Sequence, residues 1–198
     1  MKYPHWFASN GVREDFAYFL EGMRGHPVKA LQIGAFTGDA SKWLFENILT
    51  NSSSVLVDVD TWAGSEEAVH DEFDWSDVEK TYNEKVKPFR KKLYKTKMTS
   101  EEYFDKNVMR YDFIYVDGAH TAFDVFNDGI SAFECLNEGG IIAFDDYTWD
   151  GGKGDFLNPR DGIDGFYLTY IDQLSILHCG TQAWFQKIAR PKMLIEGV

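Results

Sequence analysis

The run Lys29-Ala30-Leu31-Gln32-Ile33 stops at Gly34. A second glycine, Gly38, comes just before a stretch with helical spacing, Ala40-Ser41-Lys42-Trp43-Leu44-Phe45. The local order this dictates is strand, glycine turn, helix. Glycine reaches backbone angles closed to other residues and lets the main chain approach a ligand. The first N–H groups of the helix behind the turn lack intrahelical partners. Together these properties make a nucleotide-type cofactor site.

The next apolar run, Val55-Leu56-Val57-Asp58-Val59-Asp60, ends in carboxylates. Strand, glycine turn, helix, strand and acid form a βαβ unit of the doubly wound kind. The same grammar continues. A third strand is expected at 91–97. A fourth is Tyr111-Asp112-Phe113-Ile114-Tyr115-Val116-Asp117, followed by Gly118-Ala119-His120. A fifth is Ile141-Ile142-Ala143-Phe144, followed by Asp145-Asp146. Apolar spacing predicts helices at 12–23, 39–49, 76–87, 101–106, 122–136 and 162–171. Ser9 or Asn10 is placed to cap the first, and Thr99 or Ser100 the fourth. Glu138-Gly139-Gly140 reads as a turn, 61–73 as irregular, and 150–161 as a Gly/Asp-rich loop near the site. Runs at 174–178 and 182–188, joined by Cys179-Gly180-Thr181, read as an antiparallel hairpin at the sheet edge. A single domain over 1–198 is expected, with an N-terminal arm and helix at 1–27 and the core at 28–190.

Charge and composition exclude some functions. Acidic residues outnumber basic ones 32 to 20, for a formal net charge of −12. A nucleic-acid binder carries a basic face. The one dense basic run, from Lys85 to Lys97, reads as a solvated surface. No apolar run approaches the roughly 20 residues that span a bilayer. The first ten residues lack the apolar core of a signal peptide, and Cys135 and Cys179 form no metal or CxxC spacing. A cytoplasmic chain with reduced thiols is the expectation. Monomer and homodimer both stay open.

Polar groups stand at four strand ends: Gly34 and Gly38, Asp60, Asp117, and Asp145-Asp146. In an open α/β sheet the ligand crevice lies outside the carboxyl ends of the strands, so these groups converge on one cleft. Each also has a plain structural reading. Asp117 could cap the next helix, and Asp145-Asp146 could close a turn. Trp62, Trp75, Tyr147 and Trp149 could line an acceptor pocket or pack loops. The aromatic arm of Tyr3, Trp6 and Phe7 could cover the domain edge or the mouth of the site. His5, His26 and His70 read as surface residues, and His178 as structural.

The motifs QIGAFTGDAS, VDVDTW, YDFIYVDGAH and NEGGIIAFDDYTW resemble those of class I S-adenosylmethionine-dependent methyltransferases. The resemblance is strongest to the O-methyltransferase group, which includes catechol-type and macrolide-sugar enzymes, and it covers roughly 28–188. It implies an α/β, Rossmann-like sandwich on a mostly parallel seven-stranded sheet with an antiparallel C-terminal hairpin. It implies methyl transfer from S-adenosylmethionine to a hydroxyl of a small molecule or sugar, and the charge and apolar pattern above leave no role for nucleic acid or membrane. The cofactor would lie against Gln32, Gly34, Ala35, Phe36, Gly38, Asp60, Thr61, Met98 and Asp117, with Asp60 accepting the ribose hydroxyls. Lys97, Met98 and Thr99 sit where the adenine pocket is expected. Gln32 stands where the family has glutamate, and Ala40, next to Ser41, where it has serine. Asp117, Asp145 and Asp146 match the acids that hold Mg²⁺ or another divalent cation. His120, beside Asp117, matches a catalytic base and competes with a substrate-contact role. Two other classes stand against this reading. One is a dinucleotide-dependent oxidoreductase, disfavoured by the missing GxGxxG. The other is a non-catalytic cofactor-binding module.

Overall fold

The computed structural model describes residues 2–9, 11–65, 68–149 and 158–189. The proposed cap Asn10 and residues 150–157 of the expected Gly/Asp-rich loop lie outside the described residues.

The strands are β1 (Lys29–Ile33), β2 (Val55–Asp60), β3 (Leu93–Lys97), β4 (Tyr111–Val116), β5 (Leu136–Phe144), β6 (Leu174–Cys179) and β7 (Ala183–Lys187). The helices are α1 (Val12–Phe19), α2 (Asp39–Asn47), α3 (Trp75–Val86), α4 (Ser100–Phe104), α5 (Ala122–Cys135) and α6 (Pro159–Thr169). All seven strands form one sheet in the order β3-β2-β1-β4-β5-β7-β6. The pairings from β3 through β5 are parallel, and β7 is antiparallel to both neighbours. That is the expected sheet, with the last strand inserted one place in from the edge.

Strand side chains alternate between two cores, as a pleat covered on both faces requires. Ala30, Phe113, Tyr115, Ile141 and Ala143 pack against Phe16 of α1 and Leu44 of α2. Leu31, Ile33, Ile114, Val116, Ile142 and Phe144 pack against α5 and α6 through Val125, Phe133 and Phe166. Because β1 is flanked by β2 on one side and β4 on the other, the winding direction reverses there. A crevice therefore opens above the carboxyl ends of β1 and β4.

Several boundaries differ from the sequence reading. β5 begins at Leu136, and the turn expected at 138–140 is a bulge inside it. The register jumps between Tyr111 and Phe113, and Gly139 takes the required left-handed φ of 79°. α6 begins at Pro159, because Asn158 caps it by accepting the Asp161 N–H and proline suits the first helical position. α1 stops at Phe19 and gives way to a short 3-10 turn over Glu21–Met23. Ser9 does not cap α1: the N-cap is Gly11, and the Ser9 N–H and hydroxyl both donate to the Trp6 carbonyl, closing the 3-10 turn Trp6–Ala8. Thr99 does cap α4, in a full capping box with Glu102. The basic run is tied into the surface: Lys85 reaches Asp39, and Lys95 and Lys97 both reach Glu79.

Candidate active site

A cleft of about 1250 Å³ occupies the crevice. Its walls include Gly34, Phe36, Asp60, Thr61, Met98, Asp117, His120, Asp145 and Asp146, all named from the sequence. Gln32, Ala35 and Gly38 are not among the lining residues; they hold the wall from behind.

The glycine turn is held in place by buried polar contacts. Gln32 is buried; its Nε2 donates to the Gly34 carbonyl at 2.7 Å, and its Oε1 accepts from the Ser41 hydroxyl at 3.3 Å. A glutamate could not donate to that carbonyl. It would also stand beside the buried Asp58, its register partner on β2. Gly34 has φ 81°, and a Cβ there would lie 1.8 Å from the Asp117 carbonyl oxygen. The first and fourth strand ends therefore touch through backbone alone.

Asp60 closes the turn. Its Oδ2 accepts the N–H groups of Ala35 at 2.7 Å and Phe36 at 2.9 Å, and its Oδ1 accepts that of Trp62 at 2.6 Å. Of about four acceptor positions on a carboxylate, three are used by the protein. Asp58 is sealed behind the turn, with Tyr82 donating to its Oδ2 at 2.7 Å. Among the described residues, the non-glycine residues with positive φ are Phe36, Trp62 and Asp146. Each follows a strand end at the cleft, where such strain costs about 1–3 kcal/mol and collects at functional sites.

Across the cleft, ligand atoms of Asp117, His120 and Asp146 lie within 4.8 Å of one another. His120 Nε2 is 3.0 Å from Asp146 Oδ2 and 3.8 Å from Asp117 Oδ1, and the Trp149 ring stands edge-on to the imidazole at 5.1 Å. Asp117 does not cap α5; Thr121 does. Burial, then the neighbouring charge of Asp145, holds the Asp117 carboxyl well above the usual carboxylate range. Burial and the charge of Asp146 push Asp145 up to about 6. Acids crowded in this way favour a proton or a cation between them. Two carboxylates and an imidazole in this arrangement fit a divalent ion. Asp145, expected as the third acid of the metal set, lines the same cleft but is not part of this cluster, where His120 takes its place; its Oδ2 is engaged by the Tyr115 hydroxyl at 2.6 Å.

The rest of the wall was not legible from the motifs. Trp6 of the N-terminal arm and His70 line the cleft, so His70 is not a surface residue; its Nδ1 meets the Ser65 hydroxyl at 2.7 Å. Trp6 packs against Phe36 with ring centroids 4.7 Å apart and the planes tilted by 31°, which places the arm at the mouth. Of the candidate aromatics, Trp75 and Trp149 line the cleft. Trp62 is buried and donates to the Phe36 carbonyl, while Tyr147 donates to Asp164. His178 lies beside Phe19 and Asp15, in a structural position.

A sequence model described as a methyltransferase domain matches residues 31–147, from β1 to just beyond β5. The chain belongs to the methyltransferase-domain family. Both family and fold agree with the resemblance drawn from the four motifs. No curated protein sequence matches this methyltransferase. Among solved structures, a provisional O-methyltransferase from Klebsiella pneumoniae superposes with a TM-score of 0.68 at 13% identity, covering 94% of this chain and 84% of its own. An O-methyltransferase from Bacillus cereus in complex with SAH gives 0.65 at 13%, covering 93% and 84%. A provisional rRNA-methylase from Clostridium thermocellum gives 0.67 at 12%, covering 91% and 97%. The methyltransferase fold therefore does not choose the acceptor. No helix among the described residues is long and apolar enough to cross a membrane.

Proposed function

We propose that this methyltransferase moves the methyl group of S-adenosylmethionine to a hydroxyl of a small molecule or sugar, with a divalent cation held between Asp117 and Asp146 beside His120. The observation that carries the proposal is the Asp117–His120–Asp146 cluster facing the Gly34–Asp60 turn across one cleft. When bound, the sulfonium supplies an electrophilic methyl group and the cation a Lewis acid that acidifies a hydroxyl. The chain's own residues do the rest. The 34–36 turn and Asp60 bind and orient the cofactor side. His120, beside Asp146 at 3.0 Å, accepts the proton of the acceptor hydroxyl. With the cofactor bound, the acceptor oxygen would take the methyl carbon as the carbon–sulfur bond breaks, leaving a neutral thioether. Trp75 and Trp149 line the cleft and offer it aromatic faces against which an acceptor can pack. Small acceptors are favoured over RNA by the acidic cleft and the net charge of −12.

Calorimetry with S-adenosylhomocysteine is expected to show saturable one-site binding; a flat trace would remove the proposal. Asp60→Ala is expected to weaken that binding about tenfold, because it frees three backbone N–H groups of the turn. The metal role has its own test. EDTA and Asp146→Ala are each expected to abolish most turnover in an active assay, and unchanged rates in both would discard it.

A further inference from the structure

One acid of the cleft wall is buried where the methyl-transfer reading gives it nothing to do. Asp128 stands in the middle of α5 and is only 6% exposed, yet it lines the cleft. Burial pushes its carboxyl up to about 7; the nearby Ser100 hydroxyl offsets part of that, and the charge of Asp124 adds to it. No cationic side chain among the described residues contributes. One hydroxyl donor fills at most one of about four acceptor positions on a carboxyl, so the group can still take a donor from a ligand. The other acids at this end are placed differently. Thr121 donates to Asp124 Oδ2 at 2.6 Å, and Glu101 and Asp105 are exposed.

The surroundings of Asp128 suit a flat heterocycle. The Met98 N–H donates to the Asp60 carbonyl at 3.2 Å, so Met98 is the next piece of wall beyond Asp60. Met98, Phe104 and Ile130 give this stretch an apolar lining. Gly118, just after β4, approaches from the other side: a Cβ there would lie 3.6 Å from Asp128 Oδ2 and 3.0 Å from Ile33 Cγ2. The missing side chain keeps the space beside the carboxyl open. Apolar walls with one polar group at the edge hold a planar ring and fix its orientation. Adenine offers a 6-amino donor next to the N1 acceptor. A carboxyl oxygen accepts from the amino group, and a protonated carboxyl also donates to N1.

We infer that Asp128 reads the base of the cofactor, accepting a hydrogen bond from the 6-amino group of adenine, and so sets base specificity from α5. The inference rests on the cofactor reading above, and it adds a residue of α5 to the adenine pocket expected at Lys97, Met98 and Thr99. Asp128→Ala removes the acceptor. Asp128→Asn keeps it, because an amide carbonyl accepts the same N–H and asparagine pairs well with adenine.

The test is calorimetry with two ligands: S-adenosylhomocysteine, and its analogue with hydrogen in place of the 6-amino group. The parent protein is expected to bind the first about tenfold tighter, the worth of one hydrogen bond. Asp128→Ala is expected to lose about that factor for S-adenosylhomocysteine and to leave the analogue within twofold, so the preference disappears. Asp128→Asn is expected to retain the preference. If Asp128 only supports the fold, Asp128→Ala weakens both ligands alike and the preference survives, which would overturn the inference. Equal binding of the two ligands by the parent would overturn it without recourse to any variant. A parent protein that binds neither ligand would instead overturn the cofactor reading, and the inference with it.

Discussion

Gly34→Ala is expected to cost about 3 kcal/mol of stability and to lower S-adenosylhomocysteine affinity at least a hundredfold. Two effects add. At φ 81° an alanine pays for the left-handed backbone, about 1–2 kcal/mol. Its Cβ would also meet the Asp117 carbonyl oxygen at 1.8 Å, and only backbone movement relieves that. The movement parts β1 from β4 where Asp117 N–H bonds the Ile33 carbonyl at 2.9 Å, so the floor of the cleft opens. Gly139→Ala isolates the first effect, since Gly139 has φ 79° and nothing within 4 Å of its would-be Cβ. Thermal melts should fall by about 10 °C for Gly34→Ala and by roughly a third of that for Gly139→Ala. Equal shifts would show that contact with Asp117 does not matter.

Asp58→Asn is expected to stabilise the protein by about 2–4 kcal/mol at pH 8 and hardly at all near pH 4. Asp58 is fully buried, and its Oδ1 has no hydrogen-bond partner among the described residues. Burial pushes its pKa up to about 7, against a partial offset from the Tyr82 hydroxyl. A carboxyl whose pKa is raised by folding favours the fold while protonated. Its contribution falls as pH climbs from the ordinary carboxylate value to about 7, then stays level. Asparagine keeps the acceptor for Tyr82 and cannot ionise. The difference between variant and parent in urea melts should therefore grow across that window and flatten above it. A difference independent of pH would mean that Asp58 does not titrate there.

The sheet was legible because its strands are buried on both faces and end in glycine or acid, and both signals are local. Gly34, Asp60, Asp117, His120, Asp145 and Asp146 share one cleft for that reason. What escaped was set at long range. Trp6 and His70 reach the cleft only because the arm packs on Phe36 and Phe73, contacts that no spacing encodes. Trp62 reads like a pocket aromatic by its place after β2, yet its left-handed backbone turns it into the core. The boundaries of β5 and α6 were missed where Gly139 and Gly162 looked like breaks. One proved to be a bulge, and the other a position inside a helix already capped by Asn158. Gln32, the departure from the family pattern, makes sense only with the Gly34 carbonyl and Asp58 in view.

The place of β7 bears on how the protein is made. β7 is the last strand among the described residues yet lies between β5 and β6. A nascent chain that has emerged only to residue 179 presents the Ile141–Phe144 edge of β5 unpaired, and it lacks Thr181 of the cleft wall and Gln182 behind Tyr115. Open apolar edges of this kind recruit chaperones and other strands. Completion of the cleft therefore waits for the final hairpin to fold and insert, and translation products truncated before residue 183 are destined for quality control rather than for partial activity.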